Sequence, residues 1–272
     1  MKKTVMSSLL LSGLVLIGVA TTVDAADIVV PTEGKVNFVP NTDPPVIKDG
    51  ATLIKPGTNN QVIELEGSEG KSTTGGLRIG FVPNITFKDA KVSVMHQEYS
   101  AQVIKYKYKD TAENKFIAPF VQVIDERGGD KGFKLLVKAT KFKTGSDATE
   151  HILDNTRIKM YKKTLTNQTS DKGAGGPLAT ALLSGLNDGE TFEEADKTLL
   201  TTKPGEGVGS ATNNAASSLV FDESYVANTT DTKYPTATST TEGLKLVVPQ
   251  GDQPRVNQTY TSTITWTLAD QL

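Results

Sequence analysis

The run from Tyr260 to Leu268 decides the fold class of this chain. Tyr260, Ile264, Trp266 and Leu268 fall on one parity, and Thr261, Thr263, Thr265 and Thr267 fall on the other. A period of two built from β-branched and aromatic residues describes a strand with one apolar face and one hydroxylated, solvent-facing side. The only tryptophan of the 272 residues lies in this run. Such a strand is expected to close a sheet whose core is incomplete without it.

The opposite end reads as a targeting segment. Lys2 and Lys3 give a positive start, Leu9 to Ala20 carry no charge, and Val23-Asp24-Ala25 supply apolar or small residues before a cleavage point. Residues 1–25 are therefore expected to be a secretory signal peptide, too short for a comfortable membrane span; the plainer alternative is an uncleaved anchor. Residues 26–272 are then the mature chain, of a length suited to one large all-β domain or two small ones. No second apolar segment, sorting signal or lipid-attachment cysteine follows, so no membrane span is expected in the mature protein, and surface retention has to be non-covalent. Cysteine is absent, which removes disulfides and thiolate metal sites and leaves the core to hold an exported fold. A formal charge of −2 argues against a nucleic-acid partner.

Along the mature chain, Lys35–Val39 reads as a strand running into the turn-forming Pro40–Pro45, and residues 40–60 as a Pro-rich loop. Strands are expected over 61–66, 77–81, 85–87, 92–96 and 102–108; in the last, Ile104, Tyr106 and Tyr108 face one way and Lys105, Lys107 and Lys109 the other. Phe116–Ile124 and Phe133–Phe142 read as a hairpin about the Gly128, Gly129 and Gly132 turn. A strand is expected in 157–165. Thr191-Phe192-Glu193-Glu194 has capping-box spacing for a short helix toward Leu199, although Leu178–Leu183 reads equally well as a strand. Residues 201–243 form a Gly/Ser/Thr-rich loop region with an apolar island at Leu219–Phe221, and Leu244–Val248 is a strand. About ten strands, long loops and at most one or two short helices predict an antiparallel β-sandwich or barrel.

Two blocks of residues carry a family resemblance. The first is Val121–Gly128 followed by Gly132-Phe133-Lys134-Leu135. The second is Leu246–Gln250 followed by Tyr260–Leu268, with Trp266-Thr267-Leu268 at its end. Together with Gly34–Phe38 and Leu77–Phe87, they resemble the WxL cell-wall-binding proteins of low-GC Gram-positive bacteria over essentially the whole mature chain. The first unit departs from the pattern, with Phe133 where the family has tryptophan. The resemblance implies a secreted surface protein that binds peptidoglycan or an associated wall polymer without a covalent link, is not an enzyme, uses no cofactor, and takes part in adhesion or surface complexes with other surface proteins. A host-matrix adhesin is the alternative, and a wall hydrolase a more distant one.

The residues themselves admit two readings. Phe133, Leu135, Trp266 and Leu268 share the apolar parity of their strands and so read first as core; alternatively, Trp266 offers sugar rings a stacking platform. Lys105, Lys107, Lys109, Lys134 and Lys138 offer a basic face to anionic wall polymers, or are simply solvated strand faces. Asp125 and Arg127 are placed to pair across their turn. His96 and His151 lack metal-ligand spacing, Gly70-Lys71-Ser72 fails as a phosphate loop because Leu65 takes the first glycine position, and no nucleophile elbow or catalytic carboxylate pair stands out.

Overall fold

Eighteen antiparallel strands and no α-helix make up the described residues of the computed structural model, which are 50–271 apart from 59, 67–68, 89, 129–130, 146–149, 169–181, 203–211, 213 and 228–232. All of them belong to the unit Val39–Leu272. The expected strand at Lys35–Val39, the turn at Pro40–Pro45 and the signal peptide lie outside the described residues.

The middle of the fold is a five-stranded sheet, β13(Thr164–Asn167)-β16(Ala215–Val220)-β8(Phe120–Asp125)-β4(Leu77–Pro83)-β3(Gly70–Lys71). Both of its faces are covered. Val121 and Val123 of β8, Ile79 and Val82 of β4, and Leu219 of β16 enter one core. Phe120, Phe81 and Val220 of the same strands enter a second. The first core is completed by the sheet β14(Leu182–Ser184)-β15(Lys197–Thr202)-β9(Gly132–Ala139)-β18(Ile264–Gln271), and by β12(Arg157–Met160)-β17(Thr240–Val248)-β5(Gln97–Gln102). The second is completed by β1(Gly50–Ile54)-β2(Val62–Glu66)-β6(Ile104–Tyr108)-β7(Lys115–Ile117). A small pair, β10(Phe142–Lys143) with β11(Ile152–Leu153), extends the edge. The architecture is sandwich-like, with no closed barrel among the described residues.

Two-sided burial explains where the sequence pattern misleads. β16 reads Ala-Ala-Ser-Ser-Leu-Val, and all six residues are buried. Its small polar side chains are satisfied laterally: Gln122 donates to Ser218 at 2.9 Å, and Asn167 to Ser217 at 2.9 Å. Pattern and propensity both rest on a strand with one wet face, so this strand falls within the expected 201–243 loop region.

Several expectations are corrected. The strands β8 and β9 do not form a hairpin: β8 pairs with β16 and β4, whereas β9 pairs with β15 and β18. Val121 and Val123 instead share the first core with Phe133, Leu135 and Val137, so the chain passes from one sheet to another between them. Gly128 supplies the expected positive φ, 70°. No helix forms over 191–199. Phe192 is fully buried, and Leu199 and Leu200 are both buried within β15, a two-sided pattern that imitates a helical face. Val92–His96 is an exposed loop rather than a strand, Ile85–Phe87 contributes one bridge from Phe87 to Ala101, and β1 falls within the expected 40–60 loop. The strand count exceeds the expected ten because several runs are broken in two, as Phe116–Ile124 is at Ala118-Pro119.

Candidate functional site

The signature units, far apart in sequence, are neighbours in space. β18 pairs with β9 in an unbroken antiparallel register, with Leu268 opposite Leu135, Trp266 opposite Val137 and Asp270 opposite Phe133. Directly opposed residues share a sheet face, so Phe133, Leu135, Trp266 and Leu268 all point into the first core. Their burial differs. Phe133 and Leu135 lie on an inner strand and have no exposed surface. Trp266 and Leu268 are on the edge strand and only partly buried, packed against that core. On the opposite face of β18, Thr265 and Thr267 are exposed, as is Thr263 just before it.

The indole has a specific inner partner. Trp266 meets Phe192 edge-on, with ring centroids 6.1 Å apart and planes at 83°, and Phe192 meets Phe221 at 6.4 Å. Edge-to-face pairing places a ring's positive rim against its neighbour's negative face. Phe192 is fixed from both sides by backbone hydrogen bonds, its own N–H to the Ile158 carbonyl at 2.8 Å and the Ala139 N–H to the Glu193 carbonyl at 2.8 Å. The segment expected to be helical thus forms the floor beneath the tryptophan.

One end of this seam is fastened by charge. Arg127 grips Asp125 with both arms of its guanidinium, Nε to Oδ1 at 2.9 Å and Nη2 to Oδ2 at 2.7 Å. It also donates through Nη1 to Asp270 on β18 and through Nη2 to the Gly132 carbonyl at 3.1 Å. The expected Asp125–Arg127 pair is present, and it reaches one strand further than the turn. Asp125 is 1% exposed, so its carboxylate depends on this fork for its charge balance. The hydrogen bonds to Asp125 in turn push the Arg127 guanidinium further up, against the opposing effect of burial.

The five lysines do not form one face. Lys105 and Lys107 lie on β6 and are paired across the ladder with Glu66 at 2.7 Å and Glu64 at 3.1 Å. Lys109 is exposed just beyond that strand. Lys134 and Lys138 are on the outer face of β9 in a different sheet, with Lys138 3.6 Å from Asp196.

Two further buried carboxylates were not legible in the sequence. Asp222 accepts from the Ser224 N–H and hydroxyl, from Lys233 at 2.5 Å and from the Tyr234 hydroxyl. Asp252 accepts from the Asn155 backbone and side chain and from the Thr156 hydroxyl at 2.6 Å. Both staple loops; the Asp222-x-Ser224 spacing of a local turn was the one available signal, and it is a common one. Among the described residues no group of three or more acidic or histidine side chains could hold a metal ion, and no helix is long and apolar enough to cross a membrane.

This arrangement offers a partly exposed aromatic on an edge strand and a row of hydroxyls on the opposite face of that strand, held by a closed core and a saturated ion pair. A family model described as WxL domain, surface cell wall-binding, matches residues 25–271. No curated protein and no solved structure matches the chain.

Proposed function

Because the chain belongs to the WxL family of surface cell wall-binding domains, we propose that it is secreted by cleavage after Ala25 and held non-covalently on peptidoglycan by the exposed edge of β18. The observation that carries this reading is the unequal burial of the signature. Phe133 and Leu135 are core, which is why phenylalanine serves in place of tryptophan there. Trp266 is only partly buried at the edge of the sheet, and the exposed Thr263, Thr265 and Thr267 line the opposite face of the same strand. An aromatic at a sheet edge, with hydroxyls on the strand's other face, offers a sugar chain running along that edge both a C–H contact and hydrogen-bond partners. The role is binding rather than catalysis: the two carboxylates at this seam, Asp125 and Asp270, are both engaged by Arg127.

Purified sacculi, with and without their teichoic acid, test the assignment. The protein should sediment with both preparations, leave with a high-salt or chaotrope wash as an intact chain, and give no cleared band in a peptidoglycan zymogram. Its mass should begin at Ala26. Sedimentation that disappears with the teichoic acid would move the ligand to that polymer, and release only after muralytic digestion would refute non-covalent retention.

A further inference from the structure

The edge of a sheet carries unpaired backbone groups, and folded chains protect it with short strands, proline, lysine, bulges or a covering loop. Most edges among the described residues are protected in this way. β12 is covered by residues 189–192: the Met160 N–H donates to the Glu190 carbonyl at 2.9 Å, and the Phe192 N–H to the Ile158 carbonyl at 2.8 Å. β5 is covered at its end, where the Gln102 N–H donates to the Thr86 carbonyl at 2.9 Å and Ala101 bridges to Phe87. β3, β7, β13 and β14 run for only two to four residues. β18 differs from all of these. It is eight residues long, contains no proline, lysine or arginine, and keeps an unbroken register with β9. Its one charge, Asp270, stands near its end and is held by Arg127.

The register also fixes which backbone groups are left over. The Thr140 N–H donates to the Thr263 carbonyl at 3.0 Å, and the same pairing continues from Ile264–Ala139 to Gln271–Gly132. Successive residues of an antiparallel strand point their N–H and C=O to opposite sides. Thr265, Thr267 and Ala269 therefore bond β9. Ile264, Trp266, Leu268 and Asp270 turn their backbone groups outward, where no described residue takes them. The side chains of Ile264, Trp266 and Leu268 lie on the core side and stay only partly buried at this rim, while Thr265 and Thr267 are exposed on the other face.

We propose that the free protein closes this edge with a second copy of itself, β18 against β18 in antiparallel pairing, about a two-fold axis at Trp266. The strand is its own complement in that register. Trp266 opposes Trp266 and Ile264 opposes Leu268 on the core side, and Thr265 opposes Thr267 on the other. Asp270 falls against Ser262, so no charge meets a charge. The outward-turned residues then face one another, and each such pair exchanges two backbone hydrogen bonds. Moving the axis one residue on sets Ile264 against Asp270, and one residue back sets Leu268 against Ser262, so the apolar match selects Trp266. Two four-stranded sheets become one, and each copy supplies the cover that the other's partly buried indole does not get from its own chain. The proposal goes beyond the wall-binding reading and needs no wall polymer. Both occupants use one edge, so the dimer is the form in solution and opens where the wall takes β18.

Sedimentation velocity of the protein recovered from the cell surface, without wall material and from micromolar to millimolar concentration, is the test. Wild type should pass from monomer to dimer, and Trp266 emission should move to the blue along the same curve. In T265E/T267E an acid faces an acid twice across the axis, and the dimer should weaken about tenfold or more. T265E/T267K differs from it at one position, sets acid against base in both pairs, and should dimerise at least as well as wild type. Both variants change only exposed threonines and should melt close to wild type. A wild type that stays monomeric throughout, or a T265E/T267E dimer as tight as that of wild type, would overturn the proposal. So would loss of the dimer in both variants, because the register would then be another. A dimer that leaves the emission unchanged would also overturn it, because Trp266 would lie outside the interface.

Discussion

Replacing Trp266 with alanine separates the structural and ligand-contacting shares of one side chain. Truncating a fully buried Phe or Trp costs about 3–5 kcal/mol, and Trp266 keeps only a minor part of its surface exposed, so ~2–4 kcal/mol of packing is lost. The edge-on contact with Phe192 adds ~0.5–1.5 kcal/mol. The total of about 2.5–5.5 kcal/mol should lower Tm by roughly 5–20 °C in a domain of this size. Trp266→Phe keeps a ring above Phe192 and should recover most of that loss. Because there is one tryptophan, emission reports this site alone: the free protein should emit between the buried and fully hydrated limits and shift to the blue on binding sacculi. Thermal melts, emission spectra and sacculus sedimentation of the three proteins provide the measurement. An alanine variant that melts with wild type would show that the Phe192 contact contributes nothing and refute the structural share. Unchanged sedimentation by folded Trp266→Ala would refute the ligand-contacting share.

Three other expectations follow from the geometry. Arg127→Met leaves the buried Asp125 carboxylate without its fork and should cost about 3–5 kcal/mol in chemical denaturation, whereas Asp270→Asn at the more exposed end should cost ~1 kcal/mol or less. Gly243→Ala would put a Cβ 2.1 Å from the Phe221 carbonyl oxygen and should destabilise by ~1–3 kcal/mol or more, while Gly251→Ala, with nothing within 4 Å, should be close to neutral in the same melts. Glu98 is held below its ordinary pKa, first by the Tyr161 hydroxyl, despite a burial penalty, and then by His96 and Lys245. Its stabilisation is present above the unfolded carboxylate pKa and is lost as pH falls through the lower folded value. Tyr161 is pushed up to about 12, first by burial and then by Glu98, so its share is complete below the unfolded phenol value and is lost as pH rises toward about 12. Denaturant midpoints across pH should fall at both ends, and Tyr161→Phe should flatten the alkaline limb.

Strands with one wet face and strict alternation, such as β6 and β18, were legible in the sequence. β6 alternates as read, with Ile104 and Tyr106 buried and the lysines outward, and β18 keeps its threonines in solvent. The Asp125–Arg127 pair was legible because it is local. In the central sheet burial on both faces erases the period of two; β4 and β8 were legible as apolar runs, but β16, two thirds alanine and serine, carries no strand signal of its own. The β8–β9 connection was misread for a related reason. Gly128 marks a reversal of the chain, but nothing in the turn says whether the arms will share hydrogen bonds or enter different sheets. Burial of Trp266 depended on Phe192, and the position of Phe192 on backbone bonds to β9 and β12 that no local pattern encodes.

The seating of β9 between β15 and β18 also sets an order in time. Both of its neighbours are made after it, and the residues that lock its register, Trp266 to Asp270, are made much later still. Until they arrive, β9 has one bare flank and Asp125 lacks the full enclosure that the β18 end provides. A chain emerging from the ribosome therefore cannot reach its closed state early, and contacts this distant in sequence fold slowly. On the proposed route of secretion, which threads an unfolded polypeptide across a membrane, late closure would keep the chain competent for passage; shedding β18 should leave a species that collapses without ever locking.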